Sequence, residues 1–252
     1  MFLLVLLAAI GGTFAGLWEP GGPWFLVLFL SFVASVLFHK WGRWRRERII
    51  REAPLPRFLQ RKLRDTYSFL AQKDVELVER GLRQFFLACH RSERKFVAMP
   101  SRVVDTMWHE FILHTQAYRD WCRLAFGRFI DHTPAEVLGA SPQHNDGLRR
   151  AWFWACKDEA IDPRAPTRLP LLFALDTKLR IDDGFHYEPD CGAPRRRARD
   201  DASPAVAVGA AGYVHCATSF ADSSVAGDAD GMGGSDSSSD SGGDGGCGGG
   251  GD

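Results

Sequence analysis

Charge is missing from long stretches of this chain. No Lys, Arg, Asp or Glu occurs in residues 2–18 or 23–39, and no Lys or Arg follows Arg199. The 31 basic and 31 acidic residues of the 252-residue chain therefore cancel only in total, because cations crowd residues 40–64 and the end is acidic. The two uncharged segments are unsuited to the surface of a soluble domain, and the acidic end is unsuited to a packed core.

The signatures of several enzyme classes are also missing. The sequence contains no Gly-rich phosphate loop, no GxSxG elbow and no HExxH helix, since Leu113 stands where that last motif needs its second histidine. The cysteines form no CxxC pair, which argues against a zinc knuckle or a disulfide framework. Cys89, Cys122 and Cys156 have apolar neighbours and are expected to be small buried hydrophobes. An enzymatic role is thus not indicated.

The two uncharged segments predict transmembrane helices at 2–18 and 23–39, each near the lower length limit for crossing a bilayer. Five cations that follow the second segment are a positive-inside signal: Lys40, Arg43, Arg45, Arg46 and Arg48. We therefore expect a multi-pass protein of the bacterial inner membrane with both termini and the main domain in the cytoplasm. A cleaved signal peptide followed by one membrane helix is the alternative, and it leaves the main domain on the same side.

The same five cations are expected to contact anionic lipid headgroups, because they directly follow a membrane segment. A nucleic-acid patch is the less favoured interpretation of this basic run. The bilayer itself is the expected partner of residues 2–39.

Helical spacing of apolar residues predicts an all-α cytoplasmic domain of about five to six helices over residues 57–190. Residues 40–56 form a basic juxtamembrane segment before it. Residues 57–89 are predicted to form either two helices or one helix with a bend near Asp74. Further helices are predicted at 101–126, from Thr133, at 148–158 and at 169–180. Asp74 and Ser101 are the expected helix caps.

The C-terminal part of the chain divides into a linker at 191–220 and a tail at 221–252. The tail is made mostly of Gly, Ser and Asp, which cannot bury enough apolar area to fold, so we expect disorder. Residues 202–220 are ambiguous, since their apolar positions fit either a short strand or docking on the core.

The candidate site lies on the predicted helix 101–126. On a regular helix Asp105 and His109 share one margin of the apolar face, while His114 lies roughly 140° from His109. The turn at Gly127 would bring His132 back to that margin. A carboxylate and two imidazoles can hold a divalent transition metal such as zinc, but the same trio is also a common buried polar network that fixes a fold.

A longer pattern surrounds these residues: Val104-Asp105, Trp108-His109, Phe111-Ile112-Leu113, Tyr118, Cys122, Gly127, Phe129-Ile130 and His132-x-Pro134. This pattern, with the segment 169–176 and the Gly-rich tail, resembles the bacterial branch of the glycine-rich domain-containing protein-like family. The resemblance covers roughly 55–190 plus the tail. It implies a helical domain, with nucleic-acid or interaction roles suggested for some plant relatives, and it supplies no reaction.

The residues that match the family's pattern form the candidate site: Asp105, Trp108, His109, Tyr118, Cys122 and His132. Plant members tend to carry a second histidine two positions after the first, where this chain has Phe111. Any role of that histidine therefore does not carry over.

Three functions fit these observations. The favoured one is a membrane-anchored cytoplasmic interaction module with an unknown protein partner, whose acidic tail is an arm for basic partners. The second is a metal-dependent enzyme or metal sensor that uses Asp105, His109 and His132. The third, nucleic-acid association, depends only on the arginine runs at 43–51 and 195–199.

Overall fold

The structure is a computed structural model that describes residues 22–132, 142–189 and 214–216. The predicted membrane segment at 2–18, the predicted helix start at Thr133 and the tail at 221–252 lie outside the described residues. Helices dominate the described chain, as the sequence predicts.

Helix α1, Gly22–Glu52, joins the second apolar segment to the basic one without a break. Its 31 residues correspond to about 46 Å of helix. Its N-terminal part exposes large apolar side chains such as Phe25, Phe29 and Phe38. Among the described helices, α1 is the one long and apolar enough to cross a membrane.

The C-terminal part of α1 packs against the rest of the protein. Ile50 is completely buried in the core, and Arg83 donates a hydrogen bond of 2.8 Å to its carbonyl oxygen. Arg91 forms a forked ion pair with Glu47, at 2.9 and 3.2 Å. The juxtamembrane segment is therefore part of the folded unit.

The five cations of this segment have different surroundings. Arg43 pairs with Glu93 at 2.9 Å, and Arg46 donates to the carbonyl of Phe126 at 3.0 Å. Arg45 lies over the ring of exposed Trp41, and Lys40 is exposed. Arg48 lies over the ring of exposed Trp44 and also pairs with Glu52 at 2.9 Å.

The next two helices are α2, Arg57–Thr66, and α3, Gln72–Arg91. Of the two alternatives predicted for residues 57–89, two separate helices is the correct one, and residues 67–71 lie between them. Asp74 accepts a hydrogen bond of 3.0 Å from the backbone N–H of Ala71, so it caps α3 as predicted. Leu59, Leu63, Val78 and Leu82 are the buried face of this pair.

The predicted single helix at 101–126 is wrong in one respect, because it is two helices: α4, Arg102–Leu113, and α5, Thr115–Ala125. The break is at His114. Its ring Nδ1 lies 2.9 Å from the carbonyl oxygen of Glu110, and its backbone N–H bonds to Phe111 instead. The side chain thus takes the acceptor that would continue the regular helix.

Two further helices complete the described domain, α6 at Pro142–Asp158 and α7 at Leu171–Leu179. Their buried aromatic residues Trp152, Phe153 and Phe173 join Phe85, Phe86 and Phe111 in one core. A short parallel strand pair lies beside α7: β1, His186–Glu188, with β2, Val214–Cys216. The strand at 214–216 settles one part of the ambiguous segment 202–220.

Candidate functional site

The N-terminus of α4 fixes the carboxylate end of the site. Ser101 caps α4 through a 3.4 Å hydrogen bond from Val104 N–H to its Oγ, as predicted. Asp105 lies in the first turn of this helix, where a carboxylate interacts favourably with the helix dipole. His109 is one turn later and therefore lies beside it.

His132 comes from the segment that follows α5. Its Nε2 lies 3.0 Å from Oδ1 of Asp105, while Nδ1 of His109 lies 3.3 Å from Oδ2 of the same carboxylate. The two imidazole rings are in edge-to-face contact, with 4.2 Å between their centroids. The structure thus brings together the three residues that the sequence analysis singled out as ligands.

Burial decreases from His132 to His109. The side chains of His132, Asp105 and His109 are 10 %, 20 % and 49 % exposed, respectively. The site is therefore held by the protein on one side and open to solvent at His109.

The hydrogen bonds of His109 favour one of its tautomers. Nδ1 lies 3.0 Å from the backbone carbonyl oxygen of Asp105, which only accepts hydrogen bonds, so a neutral ring carries its proton on Nδ1. Nε2 then presents a lone pair. An N–H bond to a backbone carbonyl is the usual way in which a protein orients a metal-binding histidine.

The spacing of the three side chains fits a divalent ion. One ligand atom from each residue lies within 4.8 Å of the other two. Zinc bonds of about 2.1 Å in a tetrahedral site need ligand atoms about 3.4 Å apart, which is within the range that this spacing allows. Among the described residues, Asp105, His109 and His132 are the group with this arrangement.

Trp108 forms the wall behind His132. It is 4 % exposed, and its ring centroid lies 4.5 Å from that of His132 in an edge-to-face contact. Its Nε1–H donates a 3.1 Å hydrogen bond to the hydroxyl of Tyr118. Trp108 therefore contacts the imidazole and excludes water from its inner side.

Tyr118 holds the backbone that leads to His132. Its hydroxyl donates a 2.7 Å hydrogen bond to the carbonyl of Ile130, two residues before the histidine. Burial raises the pKa of Tyr118 far above its usual value, which keeps the hydroxyl protonated as a donor. The hydroxyl acts on the site indirectly, by fixing the approach of the chain.

Cys122 lies one turn beyond Tyr118 and is completely buried. Burial raises the pKa of its thiol, with the Ile130 backbone and Tyr118 opposing this effect. A thiol of this kind stays protonated and unreactive. It does not belong to the ligand group around Asp105.

Cys89 and Cys156 are also buried and free, as Cys122 is. Burial raises the pKa of both, that of Cys156 to about 12. His114 lies apart from the site, stacked on Phe58 with 3.8 Å between ring centroids.

Asp176 is a supporting residue that sequence reasoning missed. It is 1 % exposed and accepts hydrogen bonds from Ser101 Oγ (2.7 Å) and from three backbone N–H groups, those of Arg102 (2.6 Å), Val103 (3.1 Å) and Phe185 (2.9 Å). It therefore anchors α7 and the following loop to the start of α4. The available signal was an aspartate directly after the apolar run 171–175.

Comparisons with known proteins give a family and no biochemical precedent. No curated protein matches this chain, and no solved structure does. A family model described as UCP032817-like matches residues 45–220. This match begins inside α1, at the part that packs on the domain, and includes every residue of the candidate site. The chain belongs to the UCP032817-like family.

Proposed function

We propose that this protein is a membrane-anchored cytoplasmic domain that binds a divalent transition metal, such as zinc, through Asp105, His109 and His132. One observation carries the proposal: three side chains of ligand type, from α4 and from a segment 27 positions later, converge within 4.8 Å. A carboxylate with two imidazoles is a donor set that zinc and non-haem iron accept.

The openness of the site favours sensing or substrate binding over a purely structural role. Structural zinc sites are closed by four protein ligands, whereas three ligands leave a position for water or a small molecule. Half of the His109 side chain faces solvent, which supports an open site.

Elemental analysis tests this proposal directly. The full chain is purified without a histidine tag, and its metal content is measured before and after reconstitution with zinc. About one equivalent is expected in wild type and in His114→Ala, whose histidine stacks on Phe58 away from the site. His132→Ala is expected to lose the ion. A wild-type protein that takes up no metal would refute the proposal.

For the membrane topology, we propose that α1 and residues 2–18 form a two-helix anchor in the bacterial inner membrane. The positive-inside rule supports a cytoplasmic domain and cytoplasmic termini, because the cations all follow the apolar part of α1. Exposed Lys40, Arg45 and Arg48, beside Trp41 and Trp44, are the groups that best fit the headgroup layer. Reporter fusions after residues 20 and 189 test this topology, and activity of a periplasmic reporter at residue 189 would contradict it.

An interaction module remains the second candidate, and a groove between α3 and α7 favours it. The groove has a volume of about 550 Å³, and its lining includes apolar Leu77, Leu87 and Ala174. Its two acidic lining residues are paired within the protein, Asp158 with Arg51 and Glu159 with Arg168. Exposed Arg80 and Lys178 stand among its lining residues. An acidic segment of a protein partner fits this groove, while the tail at 221–252 serves as an arm for basic partners.

Crosslinking in intact membranes separates these two contact surfaces. The double variant Arg80→Glu, Lys178→Glu should lose partners of the groove, and a chain lacking 221–252 should lose partners of the tail. If all crosslinks survive both changes, neither the groove nor the tail is a contact surface for a protein partner, and the interaction hypothesis fails.

Nucleic-acid association is the weakest of the three proposals. Three arginines of the run at 43–51 are engaged within the protein: Arg43 with Glu93, Arg46 with Phe126 and Arg51 with Asp158. These contacts reduce the positive charge that a phosphate backbone would meet.

A further inference from the structure

The segment that carries His132 is in contact with the membrane helix. This segment, residues 126–132, is called the site loop below. It begins where α5 ends, and Gly127 turns the chain with a φ of 70°, a conformation that suits glycine. The loop then runs to Ile130, held by Tyr118, and to His132, held by Asp105.

Arg46 of α1 holds the start of the site loop. Its Nη1 donates a 3.0 Å hydrogen bond to the carbonyl oxygen of Phe126. The guanidinium also covers Gly127 so closely that a Cβ added there would lie 2.5 Å from Nη2. The first two residues of the loop therefore have their position defined by a side chain of the anchor helix.

A second contact connects α1 with the same loop through the turn after α3. Arg43 pairs with the carboxylate of Glu93 at 2.9 Å, and Arg128 donates to the backbone carbonyl of Glu93. Glu93 thus bridges α1 and the site loop. The loop is held by α1 at its start, by α5 in its middle and by α4 at its end.

We propose that α1 positions the metal site, with Arg46 as the positioning residue that sets the loop bearing His132. This inference rests on the proposed metal-binding function and adds its regulation. Only four residues separate Gly127 from His132. A shift of the backbone at the start of the loop therefore also moves the backbone that positions the His132 side chain. Metal affinity then depends on the docking of α1, and by linkage the bound metal stabilises that docking.

The test compares Arg46→Ala with Arg45→Ala in the full-length protein in detergent. Arg45 is the matched control, because it is the neighbouring residue and lies over Trp41 without a contact to the loop. Zinc affinity is measured by competition with a chelating dye. We expect about three- to tenfold weaker binding in Arg46→Ala and unchanged binding in Arg45→Ala. Residues that bond directly to a ligand have effects of about 10–100-fold, and Arg46 acts on His132 only through the loop.

Amide hydrogen exchange of residues 127–132 in the metal-free proteins is the second measurement. Faster exchange is expected in Arg46→Ala only. Thermal unfolding verifies that the variant folds, and Arg46→Lys replaces it if it does not, since lysine keeps the charge but lacks the fork.

The outcomes distinguish the two proposals. If wild type binds zinc and the Arg46 variant binds it equally well, the positioning role is overturned, whatever the exchange shows. If wild type binds no zinc, the metal function fails, and hydrogen exchange alone judges whether α1 positions the loop. Unchanged exchange in that case overturns the inference as well.

Discussion

His132 and Asp105 are 27 positions apart in the sequence, yet the imidazole Nε2 lies 3.0 Å from the carboxylate Oδ1. The contact closes the chain around α5 and lies against His109 and Trp108. Asp105 therefore interacts with one imidazole from its own helix and one from a distant segment. This arrangement is the basis of the metal proposal, and it also contributes to the fold.

His109→Ala is expected to separate these two roles. The side chain is half exposed, so the free energy of unfolding should fall by no more than about 1 kcal/mol. Zinc affinity should fall more than about tenfold, because even outer-sphere partners of a ligand have effects of that size. Thermal unfolding and a zinc titration on the same preparation measure both quantities. A large loss of stability with unchanged zinc affinity would indicate a structural histidine.

Tyr118→Phe removes one hydroxyl that has two buried partners. The carbonyl of Ile130 loses its donor, and Nε1–H of Trp108 loses its acceptor. We expect a loss of about 2 kcal/mol in the free energy of unfolding. Tyr67→Phe is the control, since that hydroxyl has a longer, half-buried contact of 3.3 Å with Thr106, and it should cost under about 1 kcal/mol. Equal losses in the two variants would show that the Tyr118 hydroxyl has no special role.

Asp176→Ala should be the most destabilising single change proposed here. It leaves the Ser101 hydroxyl and the N–H groups of Arg102 and Val103 without their acceptor at the start of α4, and it also removes the acceptor of Phe185 N–H after α7. A loss of at least about 3 kcal/mol is expected from denaturation in detergent. Asp183→Ala serves as control, because its pair with Arg102 is exposed and should contribute about 0.5 kcal/mol or less. A mild effect of Asp176→Ala would contradict this account of α4.

The titration of His90 is expected to make the free energy of unfolding depend on pH. Burial lowers its pKa below the ordinary value; Glu47 opposes this, and Arg43 and Arg46 add to it. Its Nε2 is buried without a hydrogen-bond partner among the described residues. The unfolded chain binds the proton more readily, so stability falls as pH drops below about 6.5 toward the lower folded pKa.

The melting temperature is therefore expected to decrease between about pH 7.5 and about pH 5.5, and to decrease less in His90→Gln. Melting curves of both proteins in one detergent provide the comparison. Identical pH dependence in wild type and variant would assign the effect to other groups.

Local patterns allowed much of the fold to be predicted. Apolar spacing predicts the helical class, and Asp74 and Ser101 cap helices as expected because capping needs only residues a turn apart. The proximity of Asp105, His109 and His132 could be predicted from the sequence for a similar reason. Two of the residues are one helical turn apart, and the third follows a glycine turn.

Contacts between distant residues were beyond such patterns. The prediction for residues 101–126 assumed one regular helix. It missed the break at His114, where the ring Nδ1 lies within hydrogen-bond distance of the Glu110 carbonyl oxygen. Asp176 was missed because its partners on α4 lie more than 70 positions away. The contacts of Arg43 with Glu93 and of Arg46 with the Phe126 carbonyl could not be predicted either, because their partners lie 50 and 80 positions away.

Titration with cobalt(II) tests the central claim most directly, because coordination by histidine and carboxylate produces a visible absorption band. Wild type and His114→Ala are expected to give a saturable band at one equivalent that zinc abolishes. His132→Ala should give none while it retains its helical circular dichroism. A wild-type protein with no band, or a band of equal strength in folded His132→Ala, would contradict a metal site at Asp105, His109 and His132.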